Sequence, residues 1–155
     1  RRCSVTRFPI RPSLPMLAAL LALAGCASVP LESAQEDAKG KQFNPPPSDR
    51  GSLYVYRQGL MGAPVTIPVT IASLPETALA PDTWVWLEGA PAAIDVRCAG
   101  TDGNAALTAN VGAGETRFVE VAFRPGLMGS RCAVTEVAEA EGRAAVLAGK
   151  RAVGP

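Results

Sequence analysis

The chain has 155 residues, with 15 Lys and Arg against 14 Asp and Glu, no His and four Cys. A formal charge of +1 without a Lys/Arg cluster argues against a nucleic-acid partner, which needs a basic face. The absence of His removes Ser-His-Asp and Cys-His catalysis and the His-containing zinc ligand sets.

In chain order, the first feature is a basic leader. Arg1, Arg2, Arg7 and Arg11 come before a twelve-residue apolar run from Leu14 to Gly25, and no acid occurs before Glu32. A membrane-spanning helix needs about 20 residues, so the run is too short to span and has the form of a secretory signal. It stops at Leu23-Ala24-Gly25-Cys26, which resembles the lipobox of bacterial lipoproteins. That resemblance implies that Cys26 becomes the first mature residue, with a diacylglycerol on its thiol and a further acyl chain on its amine. The alternative is an ordinary signal peptide with a chance Cys. Each buried CH₂ contributes about 0.8 kcal/mol, and two or more chains anchor firmly. Residue 27 is Ala rather than Asp. By resemblance to enterobacterial lipoproteins, this favours the periplasmic face of the outer membrane over retention in the inner one. All four leader arginines and no acid precede Cys26, so the chain from Cys26 onward carries a formal charge of −3.

The expected organisation is a signal peptide over 1–25, a lipidated Cys and tether over 26–50, and one domain over 51–155. The tether segment has few large apolar residues and contains Pro45-Pro46-Pro47, which favours extended polyproline II. A flexible coil of that length spans about 27 Å root-mean-square.

From Leu53 the pattern has period two, the signature of strands. Leu53 and Val55 share one face, Tyr54 and Tyr56 the other. Val65, Ile67, Val69 and Ile71 alternate with Thr66, Pro68 and Thr70. Pro68 lacks an amide donor and predicts an edge strand or a break. Five further runs follow, TWVWL, AAIDVRC, NAALTANV, TRFVEVAF and RCAVTEV, separated by turn signals such as Thr101-Asp102-Gly103-Asn104 and Gly112-Ala113-Gly114. About seven short strands at this spacing predict an all-β fold, a small sandwich or open barrel. The sandwich is preferred, closed by one C-terminal helix from Ala138 to Arg151. That helix would carry Ala140, Ala144, Leu147 and Ala148 on one side. Lys150 and Arg151 would sit at its negative end, and Gly142 would weaken it by about 1 kcal/mol against Ala.

Cys98 shares a strand face with Ile94 and Val96, and Cys132 with Val134. With Cys3 in the leader and Cys26 lipidated, these two form an even pair in an oxidising compartment. Either they form a disulfide, worth about 3–4 kcal/mol in the chain-entropy model, or they are two buried thiols. Too few ligands exist for a metal site, and no Gly-rich phosphate loop follows a strand and opens a helix, so no cofactor is expected. Asp82, Glu88 and Asp95 are the central carboxylates, and their spacing selects no acid–base pair.

Two features suggest contact surfaces. Arg57-Gln58-Gly59-Leu60-Met61-Gly62 and Arg124-Pro125-Gly126-Leu127-Met128-Gly129 repeat Arg-x-Gly-Leu-Met-Gly, each after a predicted strand. Leu60, Met61, Leu127 and Met128 either make adaptable apolar loop tips or, through Leu60 and Leu127, plug the ends of the core. Tyr54, Tyr56, Trp84 and Trp86 are either core packing or an exposed aromatic patch.

Lys41-Gln42-Phe43 with the Pro triplet, Leu53-Tyr54-Val55-Tyr56-Arg57, Thr83-Trp84, Gly112 to Phe118 and Glu141-Gly142-Arg143 together resemble domain-of-unknown-function family 2846, over about residues 41–150. That family comprises small bacterial envelope proteins, many of them lipoproteins. The resemblance implies a compact β-sandwich with a C-terminal helix and no established catalytic residues. The cysteine pair and the stretch from Ser73 to Pro81 depart from its pattern. The expected function is an outer-membrane-anchored, non-catalytic module facing the periplasm that binds an envelope protein or glycan. The alternatives are a structural subunit of a larger envelope or export assembly, and a carboxylate-based cell-wall hydrolase.

Overall fold

A computed structural model describes residues 28–155. The expected β-sandwich is observed. One sheet has the order β8-β7-β1-β4-β9 and the other β3-β2-β5-β6. The strands are β1 Gly51–Arg57, β2 Ile67–Ile71, β3 Thr77–Leu79, β4 Thr83–Gly89, β5 Ala92–Cys98, β6 Ala105–Val111, β7 Thr116–Pro125, β8 Ser130–Val137 and β9 Lys150–Arg151, with helices α1 Ala34–Gly40 and α2 Glu139–Ala148. The seven patterned runs all form strands; the short β3 and β9 are additional.

The strand β1 lies at the centre of the larger sheet, antiparallel to β4 and parallel to β7. Every one of its residues is buried, because the sheet is covered on both sides. Leu53 and Val55 face the second sheet and join Val69, Ile71, Val85, Val96, Val119 and Val121 in the main core. Tyr54 and Tyr56 point the other way, into a second core with Trp84, Phe118, Ala145 and Val146. In register, Tyr54 faces Trp86 and Phe118 on either side, with ring centroids at 5.8 Å and 5.0 Å. The aromatic set is therefore packing beneath the helices, not an open patch.

The segment expected to be a tether is instead folded onto this second core. Ser33 caps α1 by accepting the Glu36 amide at 3.2 Å. Asp37 accepts the Arg151 amide at 2.7 Å and pairs with Lys41 at 2.8 Å. Gly40 lies so close to the Trp84 ring that a Cβ there would overlap it, and its carbonyl accepts the Tyr54 hydroxyl at 2.8 Å. Phe43 stacks obliquely on Tyr54 and Phe118. Leu31 bridges Ala152 beside β9, and Val29 packs against the main core. The physical reason is the aromatic outer face of the sheet, which one ten-residue helix cannot cover alone.

Three further expectations change. The helix α2 ends at Ala148, and Lys150 and Arg151 leave it to pair with Thr83 and Trp84 as β9. Its buried face is Gly142, Ala145 and Val146, while Leu147 is 57% exposed. Gly142 rests on the Phe118 ring where a Cβ would not fit, so the glycine is what seats the helix. Lastly, β2 is not an edge strand, and of the two readings of Pro68 it is the break that is seen. Pro68 faces Ala78 in β3, its carbonyl accepts the Ala99 amide, and the ladder to β5 starts only at Val69. Its missing donor thus falls where that ladder has already ended.

Cys98 and Cys132 are joined by a disulfide, S–S 2.08 Å, with Cα atoms 6.2 Å apart. It crosses from β5 in one sheet to β8 in the other, between two buried positions.

Candidate functional site

The sandwich has two ends. The parallel neighbours β1 and β7 both finish at one of them, where β4, β6 and β8 begin. The loops 58–66, 80–82, 99–104 and 126–129 gather there. The two Arg-x-Gly-Leu-Met-Gly copies therefore lie side by side, as the topology of β1 and β7 requires. Their apolar residues do not plug the core. Leu60 is 74% exposed, Met61 64%, Leu127 93% and Met128 90%.

The first loop is built by Arg57, which is only 1% exposed. Its guanidinium donates to the carbonyls of Met61 at 3.1 Å and Gly62 at 2.8 Å, to Leu79 at 3.2 Å, and to Val65. Burial lowers its pKa, and the nearby Asp82 charge opposes that shift; the guanidinium stays charged. Gly62 has φ +69 and sits on the Phe123 ring, so the loop folds down onto β7 and lifts Leu60 and Met61 outward. Asp82 fixes the near side by accepting the Gly59 amide at 2.8 Å.

The second loop has the same apolar pair and a different support. Arg124 is exposed and bonds only to the neighbouring Phe123 carbonyl. The carboxylate of Asp102 does the work instead, accepting the amides of Leu127 and Met128. Ser130 and Thr101 tie the base of this second loop to the loop 99–104. The disulfide fixes the ends of β5 and β8 from which these loops spring. The repeat is thus alike in what it exposes and unlike in how it is held. Sequence reasoning singled out the Leu-Met tips but missed Arg57, Asp82 and Asp102 as their supports. A lone buried Arg leading a Gly-rich loop was the available signal.

The start of the described chain lies next to this end. Ser28, Val29 and Leu31 line a shallow hollow with Ala80, Asp82 and Lys150. Cys26, the expected lipidation residue, lies outside the described residues.

At the opposite end a cleft of about 460 Å³ opens between the start of β7 and the start of α2, lined by Phe43, Glu115, Arg117, Glu136, Glu139 and Arg143. Its charges are neutralised in pairs. Arg117 meets Glu115 at 2.9 Å and Glu136 at 3.3 Å, and Arg143 meets Glu139 at 2.6 Å. The hydrogen bond from Arg117 holds the Glu115 carboxyl below its ordinary range.

The central carboxylates are separated in function. Asp82 accepts Gly59, Glu88 pairs with Arg50 at 3.5 Å, and Asp95 binds Thr108 at 2.7 Å and Arg97 at 3.1 Å. The hydrogen bonds from Thr108 and Arg97 lower the Asp95 pKa. Among the described residues no helix is long and apolar enough to cross a membrane.

No family model, no curated protein and no solved structure matches this chain.

Proposed function

We propose that the protein is a lipoprotein of the periplasmic face of the outer membrane, anchored through Cys26, and that its folded body is a non-catalytic interaction module. The observation that carries the anchor is Leu23-Ala24-Gly25-Cys26 at the end of a short apolar run behind four arginines. The interaction role is supported by the loop end, where four large apolar side chains are held out by polar supports, the buried Arg57 under one loop and the half-buried Asp102 under the other. A packed protein rarely spends such supports on leaving Leu and Met in water, and exposed apolar patches mark contact sites. The resemblance to domain-of-unknown-function family 2846 belongs to the same reading.

The test is Cys26→Ser expressed in a bacterial envelope with a palmitate analogue. The parent takes up label and sediments with the outer membrane. The variant loses the label and is released with the periplasmic contents. A variant that still takes label, or that still fractionates with the membrane, contradicts the anchor.

A further inference from the structure

The exposed Leu-Met tips and the first described residue lie at the same end of the molecule. Ser28 lies two positions after Cys26, with only Ala27 between them. A chain advances at most about 3.5 Å per residue, so the lipidated Cys lies within about 7 Å of Ser28. The slack expected of a 24-residue tether is absent, because Leu31 to Phe43 are bonded into the fold. Ser28 lines a hollow with Asp82, and Asp82 in turn holds Gly59, next to Leu60 and Met61. Acyl chains on Cys26, as the lipoprotein reading has them, would draw the bilayer against this end.

We propose that the loop end rests on the bilayer that holds Cys26, with Leu60, Met61, Leu127 and Met128 in the boundary between headgroups and acyl chains. This rests on the lipoprotein reading and names the partner of the same surface. The charge there agrees. Arg124, Arg131 and Lys150 are exposed, with Glu32 beside Lys150; the carboxylates of Asp82 and Asp102 keep their charge but direct their oxygens onto backbone amides rather than outward. An anionic lipid surface complements such an end, since nearby basic residues are attracted to acidic headgroups. The consequence is a fixed orientation, with the cleft of Arg117, Glu136 and Arg143 facing away from the membrane.

The experiment uses the full lipidated protein, reconstituted into vesicles of phosphatidylethanolamine and phosphatidylglycerol. A nitroxide is attached at Met128→Cys, and in a second sample at Ala113→Cys, in the turn between β6 and β7 at the far end. The expected result is a label at 128 that collides with oxygen several-fold more than with a water-soluble nickel complex, and a label at 113 with the reverse preference. Leu60→Ser with Leu127→Ser should reduce the oxygen preference at 128 while leaving the protein on the vesicles. Two equally water-exposed labels on vesicle-bound protein overturn the docking and leave the anchor standing. So does protection of 128 that persists without vesicles, which would mean that the tips pair with a second copy or another protein. Protein that does not stay on the vesicles and whose Cys26 carries no lipid overturns both readings.

Discussion

Arg57 is the residue on which the first Leu-Met loop depends. It is buried, it has no carboxylate at hydrogen-bond distance, and its guanidinium gathers four backbone carbonyls around it. Arg57→Met keeps the apolar stem and leaves those carbonyls unpaired, a loss of about 2–4 kcal/mol. Urea denaturation should show it, with faster proteolysis between residues 58 and 66. A midpoint unchanged from the parent contradicts the assignment. Tyr54 gives a second test at this scale. Burial pushes its hydroxyl up to about 12, with the charges of Arg151 and Arg143 pulling the other way. Tyr56 is raised too, by burial and by Glu120 and Glu141. A folded pKa above the unfolded value of about 10 means tighter proton binding in the native state. The stability from Tyr54 is therefore complete below pH 10 and is lost as pH climbs towards 12, on the order of 2 kcal/mol. Denaturation midpoints at pH 8 and pH 11 should differ in that direction. Native tyrosines that titrate at 10 contradict it.

At the scale of elements, glycine sets how closely the helices approach the sheet. Gly142 is in mid-helix, where Ala should stabilise by about 1 kcal/mol. Its contact with Phe118 reverses the sign. Gly142→Ala should destabilise by about 1–3 kcal/mol through overpacking, and a raised melting temperature would contradict this. The same contact explains what the sequence concealed. Period two made the seven main strands legible, and it placed Leu53 and Val55 opposite Tyr54 and Tyr56. The faces of Cys98 and Cys132 followed from the same alternation. Helix periodicity around Ala140 and Leu147 misled, because a glycine contributes nothing to an apolar stripe and yet marks the buried side here. The helix α1 did leave a signal, Ser33-Ala34-Gln35-Glu36, the spacing of a capping box. Its low apolar content and the Pro triplet obscured it. The pair Lys150-Arg151 forms a strand only because Trp84 and Thr83 offer a free edge, and no local pattern announces that. Of the candidate site, the apolar tips were readable. Their side-by-side placement was not, since it depends on the parallel pairing of strands some sixty residues apart.

At the scale of the whole molecule, one cross-link ties the two sheets and one proposed attachment would set the orientation. The Cys98–Cys132 disulfide joins the two sheets close to the loop end. Reduction should lower stability by about 3–4 kcal/mol, seen as an earlier denaturation midpoint in dithiothreitol; identical midpoints with and without reductant contradict a stabilising bridge. The folded N-terminal segment changes what attachment means. With α1 bonded to β9 and Gly40 set against Trp84, the proposed lipid on Cys26 would hold the body directly at the bilayer rather than on a line. Everything proposed about orientation follows from that lipid. The decisive measurement is intact mass spectrometry of the protein extracted from the envelope of its source cell. The account predicts a chain beginning at Cys26 that carries a diacylglyceryl group on its thiol and an acyl group on its amine. A water-soluble chain that keeps its leader and has an unmodified Cys26 thiol would contradict it.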